Sequence, residues 1–267
     1  MTGKLRLDKL LVQRRLARTR SKAAAMIMAA EVSVDGRMVD KPGTQVSASA
    51  AITLKDKPRY VGRGGYKLAA ALAAFPLRVR GKRCADVGAS TGGFTDCLLQ
   101  HGAARVHAID VGSGIIDYRL RQDTRVRLLE NANARYLESL GERVGLAVID
   151  VSFISLRLIL PAARRWLAAD ADVIALVKPQ FEAGKSDVGK GGIVRDLSAH
   201  RRVLRATASF ASGIGLTPSG LIRSPITGAK GNVEYLLWLR MGARNVLVDL
   251  EPIILELTQP TSETNST

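Results

Sequence analysis

Cysteine and histidine are scarce in this chain, acidic residues are outnumbered, and long apolar runs are missing. Two cysteines, Cys84 and Cys97, cannot form the disulfide frame that small secreted domains rely on, and 267 residues do not need one. Both read as reduced core residues of a cytoplasmic protein. Three histidines, His101, His107 and His200, share no metal-ligand spacing with one another or with the cysteines, so no metal site is expected. No window approaches the roughly 20 apolar residues that span a bilayer. The nearest, 68–77, is short and contains Pro76. The basic N-terminus MTGKLRLDKLLVQRRLARTR lacks the apolar stretch of a secretory signal. These absences argue against a membrane-spanning pore; hydropathy leaves open only a pore built from induced amphipathic segments.

Positive charge is abundant. Forty Lys+Arg against 24 Asp+Glu give a net +16, a field that favours a polyanionic partner, nucleic acid first and an anionic membrane surface second. The 46% hydrophobic and 24% charged composition is that of a globular protein and excludes a disordered chain, a collagen or a coiled-coil rod. The length suits one large domain, or a small one with a medium one. The charge favours the second arrangement, because residues 1–60 hold 13 Lys+Arg and 5 Asp+Glu, half of the net charge.

That basic segment has a readable pattern. Leu7, Leu10, Leu11 and Val12 recur at helical spacing, ending near Leu16. Thr19 and Ser21 are good N-caps for a second helix over 22–30. In Val32-Ser33-Val34-Asp35-Gly36-Arg37-Met38-Val39 an Asp-Gly pair between alternating apolar residues predicts a hairpin, and a further strand follows over 51–54. Arg14, Arg15, Arg18, Arg20 and Lys22 cluster at the helix junction. They are either a solvated helix face or, in a module too small for much chemistry, contacts to phosphate. Arg6 and Arg63 join them as candidate RNA contacts. The order of elements and the sequence RLDKLLVQRRLARTRSKAAAMIMAAEVSVDGRMVDKPGTQV resemble the S4-type RNA-binding domain over most of residues 5–55. The resemblance implies binding to structured RNA through a helix pair.

Pro and Gly punctuate residues 58–66, which read as an interdomain linker after a small domain over 1–57. Strand-like runs then alternate with helical patterns at 84–87, 105–109, 126–129, 146–149 and 173–177. Such alternation predicts an α/β, Rossmann-like domain over 67–245, a parallel sheet with helices on both faces. Runs near 216–222 and 233–239 fit a closing antiparallel pair. Residues 246–267 read as a C-terminal extension whose last ten residues are disordered.

The first strand leads into Asp86-Val-Gly88-Ala-Ser90-Thr-Gly92-Gly93-Phe94-Thr95. Its glycines allow a tight strand-to-helix turn and close approach of a ligand. The spacing is neither Gly-x-Gly-x-x-Gly nor a Walker loop. An acid at Asp86 suits a cationic sulfonium and repels a pyrophosphate. The second strand ends in Asp110, where a carboxylate can accept both ribose hydroxyls of a nucleoside. The simpler alternative is a glycine turn with a capping acid. The pattern resembles the first motif of S-adenosylmethionine methyltransferases, with Ser90 in place of its usual middle glycine. Phe94, Thr95 and Gly112 are expected to line that pocket, and Asn133 to contact adenine or merely to shape a turn. Residues 181–195, rich in glycine and lysine, read as a mobile lid, an RNA-facing loop or a plain surface loop.

Four charged residues stand where charge is costly. Lys67 opens a helix after Gly64-Gly65, Asp150 and Lys178 end strands, and Glu234 enters one. Strand C-terminal ends in an open parallel sheet face the ligand crevice, so Asp150 and Lys178 should lie beside the cofactor. Any one alone is an ordinary ion-pair candidate; together they suggest a site. They match the Lys-Asp-Lys-Glu tetrad of FtsJ-like ribose 2′-O-methyltransferases. The blocks GRGGYKL, DVGASTGGFTDCLL, VIDVSFISL, LVKPQFEAGK and GNVEYLLWLR, behind an S4-type domain, are similar to the TlyA family across nearly the whole chain. One departure is Tyr60, where some members carry Trp, which bears on linker-mediated coupling. Members carry the names haemolysin and ribosomal RNA 2′-O-methyltransferase acting on cytidine. The resemblance implies Lys178 as proton acceptor, Lys67 and Glu234 as orienting groups, and Asp150 as electrostatic partner near the methyl donor. Burial and the Lys67 ammonium would both favour the neutral amine of Lys178, the form that can take a proton. S-adenosylmethionine is the implied cofactor, and ribosomal RNA or ribosomal subunits the implied partner, with no membrane, no obligate protein partner and a monomeric state expected. Two other readings stay open, a non-catalytic ribosome-binding or assembly factor and a haemolysin acting on membranes.

Overall fold

The computed structural model describes residues 3–55, 58–242 and 248–260, and the chain divides into two compact units at Arg59/Tyr60. The first unit runs β1 (Lys4–Arg6), α1 (Leu7–Gln13), α2 (Arg20–Met28), β2 (Val32–Val34), β3 (Arg37–Met38), β4 (Gln45–Ser47) and β5 (Ile52–Leu54). Leu7, Leu10 and Leu11 bury one face of α1 against Ala23 and Ile27 of α2 and Val32 of β2. Helix α1 stops at Gln13, short of Leu16, because Arg15 takes a left-handed conformation at φ 59°. Thr19 is the cap of α2: its Oγ1 accepts from Lys22 N at 3.2 Å, a bond worth about 1 kcal/mol in such positions. Asp35 and Gly36 both have positive φ, 49° and 77°, the backbone of a type I′ hairpin turn between β2 and β3.

The second unit runs α3 (Gly64–Ala74), β6 (Arg83–Val87), α4 (Gly93–Gln100), β7 (Arg105–Ile109), α5 (Tyr118–Arg121), β8 (Val126–Leu129), β9 (Val144–Ile149), α6 (Leu156–Trp166), β10 (Leu167–Val177), α7 (Pro179–Glu182), α8 (Leu197–Gly213), β11 (Leu216–Arg223), β12 (Tyr235–Met241) and α9 (Glu251–Leu257). Its sheet has the order β11-β12-β10-β9-β6-β7-β8. Strands β10, β9, β6, β7 and β8 are parallel neighbours, and β11 and β12 close one edge antiparallel. Alternation along the strands divides the core. Val87, Ile149, Val173 and Leu237 face α6, α8 and α9, while Cys84, Leu146, Ile174 and Leu236 face α3 and α4. Each aliphatic side chain buried this way contributes roughly 1.5–3 kcal/mol. Burial pushes the Cys84 thiol up to about 12, so it packs as an inert core group.

Three boundary expectations need correction. Tyr60–Tyr66 is no free linker: Tyr60 is buried in the second unit's core, and α3 already begins at Gly64, three residues ahead of Lys67. The segment after the sheet is not an appendage, since Leu250 and Ile254 join the main core. Thr258, expected in a disordered tail, is buried, donates to Ile254 O at 2.6 Å and accepts from Arg201 Nε at 2.9 Å. The rest of that expectation, over 261–267, and the expected boundaries at 57 and 245 lie outside the described residues. Among the described residues no helix is long and apolar enough to cross a membrane.

Candidate active site

From β6 the chain winds outward through β7 to β8, then returns to the other side of β6 as β9. The crevice of such a sheet opens at the C-terminal ends of the two strands flanking that reversal. Here those ends are held together. Asp150 N donates to Val87 O at 2.9 Å, and Gly88, at φ 82°, lies so near Asp150 O that any Cβ would overlap it. A glycine is required there by both sterics and conformation.

One half of the crevice is a cavity of about 440 Å³ lined by Gly88, Ser90, Asp110, Val111, Asn133 and Asp150, among others. Asp110 is fixed at its mouth: Oδ2 accepts from Ser90 N at 2.7 Å and Oδ1 from Gly112 N at 2.8 Å. Each oxygen keeps a further lone pair for a hydroxyl donor. Asn133 caps a short turn, its Oδ1 accepting from Arg135 N at 3.0 Å, and it also lines the cavity. Size, apolar walls and a carboxylate placed for hydroxyls fit a nucleoside.

Several expected pocket residues sit elsewhere. Asp86 is wholly buried beneath the loop; its Oδ2 accepts from Thr95 Oγ1 at 2.6 Å, and its Oδ1 has no hydrogen-bond partner among the described residues. Burial pushes the Asp86 carboxyl up to about 7, with the Thr95 bond opposing and Asp150 adding to the rise. Asp86 and Thr95 therefore support the loop from below instead of lining its cavity. Phe94 is buried against Gly64 and, with Gly93, faces a separate recess of about 110 Å³. Gly92 packs against Leu120 and Ile116, and Gly112 serves by holding Asp110.

The other half is a cavity of about 380 Å³ that brings Lys67, Asp150, Lys178 and Glu234 together. The four make two ion pairs. Lys67 Nζ lies 2.5 Å from Glu234 Oε2, both side chains buried. Lys178 Nζ lies 2.6 Å from Asp150 Oδ1 and donates to Ser152 Oγ at 2.9 Å. The expected pairing of two ammoniums is thereby modified: the charge of Lys67 is met by Glu234, and Lys178 faces a carboxylate first. Gly228 makes room for Glu234, whose carboxylate occupies the place a Cβ would take. Arg63 lines the cavity and donates to Thr227 O at 2.8 Å. Gly88, Ser90, Asp150, Ser152 and Phe153 line both cavities, so the two halves meet at Asp150.

Four contributors escaped the reading of the sequence. Phe153 is 91% exposed at φ 62°, and its ring stands 5.0 Å from that of Phe181. An aromatic three residues beyond the strand-ending Asp150 was the available signal. Ser152 and Gln180 line the cavity that holds the two ion pairs. Glu182 joins the loop after Asp150 to the loop after Lys178, its Oε2 accepting from Ser155 Oγ at 2.6 Å and its Oε1 from Leu156 N at 2.7 Å. The glycine-rich segment is anchored at Val194, whose N donates to Asn232 Oδ1 at 3.3 Å and whose O accepts from His200 Nε2 at 2.9 Å.

In the first unit the basic residues separate into two sets. Arg6 and Arg20 both reach Asp8 Oδ2, at 2.9 and 3.0 Å, and hold its carboxyl well below the usual range, the Arg6 hydrogen bond contributing most. Arg14 donates to Ala50 O at 2.7 Å and to Ala48 O at 2.5 Å. These three carry internal work as well as charge. Arg18 and Lys22 are exposed.

Comparison with known proteins agrees with this layout. The model of the FtsJ-like methyltransferase family matches residues 60–241, and that of the S4 domain matches residues 5–52. The 16S/23S rRNA (cytidine-2′-O)-methyltransferase TlyA of Mycobacterium tuberculosis is 50% identical over 244 residues, 90% of this chain and 91% of that one. The chain belongs to the TlyA family. Hemolysin A of Brachyspira hyodysenteriae is 40% identical over 235 residues, covering 87% of this chain and 98% of the relative. A solved hemolysin-named protein of Streptococcus thermophilus superposes with TM-score 0.73 at 44% identity, over 97% of this chain and 95% of that one. TlyA relatives thus carry both an enzyme name and a lysin name, while the second unit here has the methyltransferase fold.

Proposed function

We propose that this chain transfers a methyl group from S-adenosylmethionine to the ribose 2′-hydroxyl of a cytidine in 16S and/or 23S ribosomal RNA. One observation carries the reading: a nucleoside-sized cavity bearing Asp110 abuts a second cavity holding the Lys67–Glu234 and Lys178–Asp150 pairs, and Asp150 lines both. When bound, the cofactor supplies an electrophilic methyl on a sulfonium. Asp110 accepts from the ribose hydroxyls of the nucleoside. Lys178 takes the proton of the acceptor 2′-hydroxyl. In the neutral amine that accepts this proton, the two N–H groups can face Asp150 and Ser152, which leaves the lone pair for the 2′-hydroxyl. Asp150 stabilises the ammonium that results, and the Lys67–Glu234 pair orients the ribose. In-line displacement rewards such positioning, since holding two reactants in register removes much of the entropic barrier. Phe153 and Phe181 offer a stacking surface for a base turned out of its helix, as chemistry on one nucleotide of structured RNA requires. The S4-type unit supplies RNA affinity through Arg18, Lys22 and their neighbours, and the protein works as a cytoplasmic monomer on ribosomal subunits or their RNA.

The test is transfer of labelled methyl from S-adenosylmethionine to ribosomal subunits and to naked ribosomal RNA, with wild type and Lys178→Ala side by side. The expected result is incorporation at a site that becomes resistant to alkaline cleavage, lost in the variant. A folded wild type that labels no subunit and no ribosomal RNA refutes the enzyme reading and leaves a ribosome-binding factor. Lysis of membranes by the purified protein without RNA or cofactor would instead support the lysin reading.

A further inference from the structure

At the catalytic cavity, one buried polar atom lacks a hydrogen-bond partner among the described residues. Gln180 lies two residues beyond Lys178, on α7, and lines the cavity with Lys67, Lys178 and Glu234. Its Oε1 is shut off from solvent and has no hydrogen-bond partner among the described residues. The other polar side chains at the reacting centre are matched: Lys67 with Glu234, Lys178 with Asp150 and Ser152. Buried polar groups are nearly always paired, and an unpaired one beside reacting residues calls for an explanation.

The chemistry of an RNA chain narrows what could pair with it. In an internal nucleotide the 3′ and 5′ oxygens are esterified, and phosphate and ring oxygens only accept. Apart from the 2′-hydroxyl that reacts, the hydrogens able to reach an acceptor are on the base edge. A carboxamide offers one acceptor beside one donor group, which complements the edge of a base that carries an exocyclic amine next to a ring nitrogen. Cytosine presents that pattern through N4 and N3. The neighbourhood supports the same occupant. Phe181 is the next residue, and with Phe153 it forms an aromatic pair 5.0 Å apart on the wall of this cavity. A base held by these rings would bring its edge to the adjacent amide. The last torsion of glutamine is soft, so the amide can turn its oxygen into the cavity when a donor arrives.

Resting on the ribose-methylation reading above, we infer that Gln180 is a specificity-determining residue that reads the amino edge of the target base. The group recognised is the exocyclic amine of a flipped-out nucleobase, and loss of either partner should cost the same contact.

The experiment is a two-by-two comparison. After the methylated position is mapped, RNA fragments containing it are made with cytosine or with pyrimidin-2-one, which keeps the ring and lacks the amine. Methyl transfer to each is measured with full-length wild type and Gln180→Leu. The expected result is a preference of tenfold or more for cytosine in wild-type kcat/KM, narrowed to threefold or less in Gln180→Leu, with most of the loss falling on the cytosine RNA. Gln180→Glu, which keeps an acceptor, should keep the preference. Affinity for S-adenosylmethionine and tryptophan fluorescence verify that the variants are folded. The wild-type comparison needs no variant: equal use of the two RNAs overturns the inference. So does a cytosine preference that survives Gln180→Leu undiminished, as it would if the amide met a neighbouring nucleotide's 2′-hydroxyl. Failure of the wild type to methylate any ribosomal RNA is a different result, which removes the parent activity and the inference together.

Discussion

Asp86 should make the second unit less stable as pH rises, and Asp86→Asn should remove that dependence. The carboxyl is wholly buried, satisfied on one oxygen only, and burial raises it from the ordinary 3.8 to about 7. The direction of the effect follows from proton linkage. Between about pH 4 and pH 7 the folded state keeps a proton that the unfolded chain has released, so the unfolded state binds fewer protons and stability falls with pH. A rise of about three units corresponds to about 4 kcal/mol between the protonated limit and pH 8. Asparagine is nearly the same shape, can still accept from Thr95, and has no charge to bury. Its own offset, from an amide facing the space now beside Oδ1, is independent of pH.

The assay is denaturant unfolding of wild type and Asp86→Asn across pH 4 to 8. Both tryptophans, Trp166 and Trp238, lie buried in the second unit, so their fluorescence follows that unit alone. Subtracting one stability curve from the other cancels every other titrating group. The difference, variant minus wild type, should climb by about 4 kcal/mol from pH 4 to pH 8. A difference that stays flat to within about 1 kcal/mol, the resolution of such extrapolations, refutes the claim that Asp86 is neutral in the fold.

Other expectations follow from the same geometry. Lys67→Ala strands the buried Glu234 carboxylate and should cost about 3 kcal/mol at neutral pH by the same fluorescence assay, because breaking a buried pair leaves an uncompensated charge; Lys67→Ala with Glu234→Gln should recover most of it. Phe153→Ala removes an exposed ring and should leave stability within about 0.5 kcal/mol, yet lower kcat/KM for RNA by about tenfold, the worth of one stacking contact. Arg18→Ala should lower the slope of log affinity against log salt for RNA by about one, as expected for one lost phosphate contact. Arg14→Ala should instead destabilise the first unit, detectable as faster amide exchange in α1, because it releases the carbonyls of Ala48 and Ala50.

The sheet was legible because its strands announce themselves twice. Each parallel strand holds a short apolar run, and three of the five lead into a charged residue that lines the crevice: Asp110 after β7, Asp150 after β9 and Lys178 after β10. Those two facts together put the charged residues in one crevice before any contact is known. Glu234 was harder, since it stands just ahead of β12, not inside it, yet the same reasoning reaches it. What stayed hidden depends on pairing across the chain. Nothing local says that Lys67 meets Glu234, 167 positions away, or that Arg14 is occupied with carbonyls of residues 48 and 50. Asp86 was read as a ligand contact from its place two residues before a glycine; that it points inward to Thr95 depends on which face of β6 each side chain takes, and one-residue alternation reverses that face. The linker was misread because Pro and Gly mark turns whether or not the turn is packed, and here Gly65 lets Tyr60 settle against α3.

The two ion pairs also bear on why the proposed reaction suits this crevice. Buried pairs are seldom retained for stability, since well-packed apolar residues do as well or better. On the proposed reaction they meet a specific need. A bound cofactor would supply positive charge on the Asp110 side, and proton uptake by Lys178 would leave positive charge on the other side. Asp150 lines both cavities, so its carboxylate faces the charge at the start and at the finish, and its favourable interaction is not forfeited as the charge moves. Lys67 and Glu234 neutralise each other and leave the net field of the acceptor side to Lys178 and Asp150. A site arranged this way needs little reorganisation during transfer, which is the condition under which fixed charges lower a barrier most.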